Sequence, residues 1–132
     1  MSPRSQKRAS DMKLQMTMES LDQEMAEMDR LRSFIGSSSE ELREMKAKKA
    51  VLKSSIKRWV ETFQAAKGRL PTIEDQKSSL EENFFEMYQV LGTDIDSLKK
   101  RQDEAYLKIR DSSKNIDRMK ELVERIKNGT DT

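Results

Sequence analysis

Cysteine and histidine are both missing from this chain of 132 residues. Their absence excludes disulfides, Cys/His zinc sites, Ser-His-Asp or Cys-His catalysis, thiolate redox chemistry and haem held by histidine. Proline occurs twice and glycine four times, and Trp, Tyr and Phe together number only seven. That composition argues against collagen, a β-sandwich and a large single-core enzyme domain. No run approaches the ~20 consecutive apolar residues of a membrane-spanning helix. Residues 1–8 have no apolar stretch behind them, so a secretory leader is not expected.

What the chain has is charge: 38% of residues are charged against 34% apolar, with 26 basic and 24 acidic side chains giving a net +2. Both signs are spread through both halves, the pattern of solvated helix faces rather than of a dedicated polyanion binder. Apolar residues recur at helical spacing, and the fold expected is all-α: an antiparallel helical hairpin plus a long coiled-coil helix, with a compact aromatic helix-turn-helix between them.

The segments expected are a disordered basic tail over 1–10, a helical hairpin over 11–67, an aromatic turn and short helix over 68–92, a coiled-coil helix over 93–128 and a tail over 129–132. Ser2, Ser5 and Ser10 among Arg4, Lys7 and Arg8 suit either a modified arm or a nuclear address. Ser10 and Asp11 suit a helix start, and Leu14, Met18, Leu21, Met25 and Met28 follow at spacings of four and three. Gly36 reads as a stop, and Ser37 and Ser38, each with a glutamate three residues on, read as a fresh capping box. The next seam is Leu42, Met45, Lys49, Leu52, Ile56, Trp59, Phe63 and Ala66, closed by Gly68 and Pro71. Thr72 and Asp75 suggest another cap, before an apolar face of Ile73, Leu80, Phe84, Met87 and Leu91. Gly92 followed by Thr93 and Asp96 suggests a break and restart.

The final helix carries the longest pattern: Ile95, Leu98, Gln102, Ala105, Ile109, Ser112, Ile116, Met119, Val123 and Ile126, with no slip in the four-three spacing. The apolar members Ile95, Leu98, Ile109, Ile116, Met119, Val123 and Ile126 are the expected partner-binding seam. Ile109, Ile116 and Val123 should be most buried, with Lys100, Lys114 and Asp117 facing water. A seam of this length has to lie on another helix, of this chain or a neighbour.

Adjacent acidic pairs such as Glu81/Glu82 diverge on a helix, and no phosphate-cradling glycine loop or calcium loop occurs, so no catalysis, cofactor, metal or small-molecule ligand is expected. Between Arg43 and Arg58 seven basic residues stand against Glu44 alone, and Lys46, Lys49, Lys53 and Lys57 form one stripe. The stripe suits a phosphate backbone, an acidic protein tail or an anionic membrane surface. Its plainer reading is a solvated face paired with the acids Glu19, Asp22, Glu24, Glu27 and Asp29 on a neighbouring helix.

Five of the seven aromatics lie between Trp59 and Tyr88, and Trp59, Phe63, Phe84 and Tyr88 are the expected aromatic core. Trp59, Phe63 four residues on, and then Gly68-Arg69-Leu70-Pro71-Thr72-Ile73-Glu74-Asp75 ahead of Tyr88 compose a recognisable motif. Residues 56–91 resemble the helical motif at the N-terminus of the RecQ helicase linked to Rothmund–Thomson syndrome. Related motifs occur in the yeast replication-initiation regulator and in a family of Rho-GAP-associated coiled-coil proteins. The resemblance implies a helix, a Gly-Arg-x-Pro turn and a second helix, a unit implicated in DNA and partner binding in the replication proteins. This chain departs from the motif by one extra residue before Tyr88 and by Leu80 where those proteins tend to have proline.

The function expected is therefore a non-enzymatic helical adaptor or structural subunit of a larger intracellular, soluble assembly, cytoplasmic or cytoskeletal. It would act through a protein partner or self-association by coiled-coil seams. The second reading is a nuclear replication or chromatin factor, binding nucleic acid with the basic stripe and the Gly-Arg-x-Pro unit.

Overall fold

A computed structural model describes residues 3–79 and 82–129. The Ser2 of the basic arm, the Leu80 of the third apolar face and the end of the C-terminal tail lie outside them. Among the described residues the fold is all-α, with no strand: α1 (Pro3–Lys67), α2 (Ile73–Lys77) and α3 (Glu82–Lys127). The chain divides into two compact units, one of Met1–Gly36 with Asp103–Thr132 and one of Ser37–Gln102. In each, α1 and α3 pack as an antiparallel pair.

The hairpin expected inside 11–67 is absent, because α1 runs through Gly36 and the three serines without interruption. The reason is phase. Counting on from Met28, the residues Leu31, Ile35, Ser38 and Leu42 keep the three-four spacing across the apparent loop. A mid-helix glycine costs about 1 kcal/mol relative to alanine, less than the packing lost by breaking the seam there. Ser38, expected to cap, is instead among the most buried residues at 2% exposure. The tail expected over 1–10 is likewise helical from Pro3, and Ser10 lies inside α1 rather than at its start. A methyl group added at Gly36 meets nothing within 4 Å. Gly36→Ala should therefore raise stability by about 1 kcal/mol, read as a higher melting temperature; destabilisation would mean that the chain needs a turn here.

The same continuity corrects the methionine seam. Met18 and Met25 are each 43% exposed, and Thr17 and Glu24 take their places on the buried side. Both frames share Leu14, Leu21 and Met28, but the frame through Met18 and Met25 continues to Arg32. The frame through Thr17 and Glu24 continues to Leu31, Ile35 and on to Phe63. Ala66, at the end of the expected seam, is exposed.

In the unit of 1–36 and 103–132, Met28 joins Ala105, Ile116, Val123 and Ile126 in the buried core. The Ser112 hydroxyl donates to the Glu24 carboxylate at 2.6 Å. Buried polar atoms are tolerated when hydrogen-bonded, and this bond fixes which levels of the two helices face each other.

In the unit of 37–102, Leu42, Leu52, Ile95 and Leu98 form the buried layer. The Gln102 amide donates to the Ser38 and Ser39 hydroxyls at 2.7 and 3.0 Å. The break expected at Gly92 is not there; α3 passes through it, and the Thr93 hydroxyl donates back to the Gln89 carbonyl instead of capping. Gly92 serves packing: a methyl group there would sit 3.4 Å from Nζ of Lys49.

Candidate functional site

The end of the 37–102 unit is built by the aromatic turn. Trp59 and Phe63, one helical turn apart, have ring centroids 5.5 Å apart, and the Phe85 ring meets Trp59 edge-on at 5.4 Å. Gly68 then stops α1 in the left-handed conformation, φ +72°, which costs glycine nothing. Arg69 folds back over the Phe63 ring, 5.1 Å from its centroid, and donates to the Asp75 carboxylate at 2.7 and 3.3 Å. The same carboxylate accepts the Thr72 amide at 2.7 Å, and the Thr72 hydroxyl accepts the Asp75 amide at 3.2 Å, closing the capping box of α2. The Arg69 guanidinium, then the Thr72 amide, hold the Asp75 carboxyl well below the usual carboxylate range.

Two details of the aromatic region differ from expectation. Trp59 meets the ring of Phe85, not those of Phe84 and Tyr88; Phe84 borders a separate groove with Ser55, Arg58, Trp59 and Thr62. Ile73 is 70% exposed and contributes nothing to an apolar face. Phe84, Phe85 and Tyr88 occupy three positions of a continuous helix, so the one that meets Trp59 is set by the register of α3. The expected restart at Gly92 obscured that register.

The basic stripe meets a partner helix that the sequence did not single out. Lys46, Lys49 and Lys53 of α1 and Lys99 of α3 line a groove of about 330 Å³, together with Ala50, Tyr88, Ile95 and its one carboxylate, Asp96. Nζ of Lys49 lies 5.0 Å from the centre of the Tyr88 ring, a favourable cation–π arrangement. Lys46 and Lys53 are exposed and Lys49 is half-buried; Lys57 is exposed but does not line the groove. The acids expected to neutralise the stripe lie N-terminal to it on the same helix and in the other unit. Among the described residues Lys46, Lys53 and Lys99 form no ion pair. Antiparallel helix pairs ordinarily set opposite charges along their flanks; here four lysines and one aspartate line the same groove. Lys99 was legible only after α3 had been placed beside α1.

The expected partner-binding seam is already occupied. Ile95, Leu98, Ile116, Val123 and Ile126 are buried, and Ile109 and Met119 half-buried, all covered by α1 of the same chain. Ile95, Leu98 and Ala105 exceed Ile116 and Val123 in burial, and Ile109 falls short of both. Lys100, Lys114 and Asp117 face water.

Flanking the same 37–102 pair is a second, apolar groove of about 730 Å³, walled by Ala47, Val51, Met87 and Val90 with Lys48 and Glu86 at its rim. Among the described residues no helix is long and apolar enough to cross a membrane, and no cluster of three or more metal-ligating side chains occurs. No protein-family model, curated protein or solved structure matches this chain.

Proposed function

We propose that this chain is a non-enzymatic helical adaptor whose 37–102 unit docks an acidic segment of a protein partner in the lysine groove. The observation that carries the reading is that Lys46, Lys49, Lys53 and Lys99 line one groove in which Asp96 is the single carboxylate. Each exposed ion pair is worth only about 0.2–1 kcal/mol, so binding through this groove is salt-sensitive and adds up over several contacts. The apolar lining of Ala50, Tyr88 and Ile95 among the lysines favours a peptide that interleaves apolar and acidic side chains. A nucleic-acid strand is less well served: the Tyr88 ring that would stack a base already lies beneath Lys49. Arg69, the basic residue of the Gly-Arg-x-Pro turn, is engaged with Asp75 and Phe63. On this reading the chain works inside the cell as a subunit of a larger assembly, cytoplasmic or cytoskeletal, where acidic protein tails are available as partners.

The test is fluorescence anisotropy with a short labelled peptide alternating glutamate and leucine. The triple reversal Lys46→Glu, Lys53→Glu and Lys99→Glu should weaken binding by about a hundredfold or more while circular dichroism stays unchanged. Equal affinity of the triple variant sinks the reading, as does tighter binding of a single-stranded oligonucleotide or an anionic vesicle than of the peptide.

A further inference from the structure

Lys49 stands at a position that a helix pair ordinarily fills with an apolar residue. Leu42, Lys49, Ile56 and Phe63 fall seven apart on α1, along the seam that faces α3. A lone lysine in such a seam lowers stability, because its ammonium gives up water that exposed lysines keep. The opposite helix makes room for it. Nζ of Lys49 lies 5.0 Å from the centre of the Tyr88 ring. At Gly92, one turn further along α3, a methyl group would sit 3.4 Å from Nζ and 3.8 Å from Cε. An aromatic face on one side and a missing side chain on the other restrict where the ammonium can be.

What the ammonium lacks is an anion. Among the described residues Lys49 forms no hydrogen bond or ion pair, although Asp96 lines the same groove. Among those residues, too, no buried side-chain nitrogen or oxygen is without a hydrogen-bond partner. Nζ of Lys49 therefore reaches solvent, and it does so in the groove that it lines. Lys46, three residues before it, and Lys53, four residues after it, are exposed, whereas Lys49 is half-buried. A held and partly desolvated cation pairs with a carboxylate more strongly than an exposed one, since it meets less solvent screening and loses less freedom on binding.

We infer, resting on the reading of the lysine groove given above, that Lys49 is the anchor of the docking site. A glutamate of the acidic segment passes between Lys46 and Lys53 and pairs with the Lys49 ammonium. Glutamate is specified over aspartate because the target lies below the exposed lysines and the longer arm reaches it. Lys46, Lys53 and Lys99 draw the segment in, and Lys49 fixes where it sits. Tyr88 and Gly92 act through Lys49, as the residues that position it. The stability given up in the seam is exchanged for binding.

Single replacements by methionine test the inference, because methionine is unbranched like lysine and carries no charge. In the anisotropy assay with the glutamate–leucine peptide, Lys49→Met should weaken binding about thirtyfold or more. Lys46→Met and Lys53→Met should each weaken it about fivefold at most. Lys49→Met should also melt at a higher temperature than the wild type, since an apolar residue then completes the seam. An aspartate–leucine peptide should bind the wild type about tenfold more weakly than the glutamate peptide, and Lys49→Met should lose most of that difference. A Lys49→Met chain that binds like Lys46→Met overturns the inference and leaves the groove a set of equivalent surface cations. A Lys49→Met chain that melts lower than the wild type overturns it too, and makes Lys49 a structural part of the seam. Equal affinity of the wild type for the two peptides removes the glutamate from the proposal. A wild type that binds neither peptide sinks the reading of the groove itself, and the anchor with it.

Discussion

Replacing Ile116 by aspartate is expected to separate α1 from α3 in the unit of 1–36 and 103–132. Ile116 is 7% exposed, and deleting a buried isoleucine side chain costs about 2–5 kcal/mol before any charge is added. The new carboxylate adds a desolvation penalty. By the register of the Ser112–Glu24 bond, residue 116 faces the turn of α1 that contains Leu21 and Glu24, so the aspartate also sits near an existing negative charge. The combined loss is about 4–5 kcal/mol, a large share of what a small domain has. Circular dichroism should report lost helicity or a melting temperature lower by well over ten degrees. Ile116→Val should cost about 1 kcal/mol, and a change at exposed Lys114 should fall within about 0.5 kcal/mol. If Ile116→Asp melts like the wild type, the seam of α3 is not holding this pair together.

That seam was legible because ten positions repeat at three and four without a slip, and a pattern of that length has no local competitor. The course of α1 was not, because local signals were strong at the wrong place. Gly36 and three serines are good punctuation in isolation, and Ser37 and Ser38 each have a glutamate positioned to complete a cap. Their propensities are worth about 1 kcal/mol apiece. The deciding information was the seam's phase on both sides of the stretch, where Leu14, Leu21, Met28, Ile35, Leu42, Lys49, Ile56 and Phe63 fall seven apart in the sequence. The same test disposes of the break at Gly92: Phe84, Tyr88, Leu91, Ile95 and Leu98 keep step across it.

Once α1 is continuous, the helix opposite the basic stripe changes identity. The acid-rich segment 19–29 no longer folds back on it, and the N-terminal part of α3 does, bringing Lys99 and a single carboxylate, Asp96, into the groove. The stripe was therefore visible in the sequence and its lack of neutralising partners was not. Polar residues inside the seam follow the same division. Gln102 and Ser112 stood out as costly to bury, whereas their partners Ser38 and Glu24 emerged only with the register. Each polar pair discriminates between registers because a one-heptad slip of α3 leaves a buried amide or hydroxyl without its acceptor or donor.

The second large effect is expected at Trp59, in the other unit. The indole is half-buried, so Trp59→Ala should cost about 2–3 kcal/mol, less than the 3–5 kcal/mol of a fully buried aromatic. The loss comes from two ring contacts at once: the tilted one to Phe63 at 5.5 Å and the edge-on one to Phe85 at 5.4 Å. Aromatic pairs add about 0.5–1.5 kcal/mol beyond the area they bury, so Trp59→Ala and Phe85→Ala should be non-additive by about 1 kcal/mol in a double-mutant cycle. Phe63 also holds Arg69 over its face, and Arg69 holds Asp75; loosening Phe63 therefore reaches the turn that joins α1 to α2. Trp59 is the chain's single tryptophan, so its emission in Phe85→Ala is an unambiguous reporter and should move to the red as the indole gains water. Thermal melts by circular dichroism supply the energies. A melting temperature lowered by less than a few degrees in Trp59→Ala, or additive energies in the cycle, would remove the aromatic contact from what closes this end of the 37–102 unit and leave the Arg69–Asp75 clasp to do it alone.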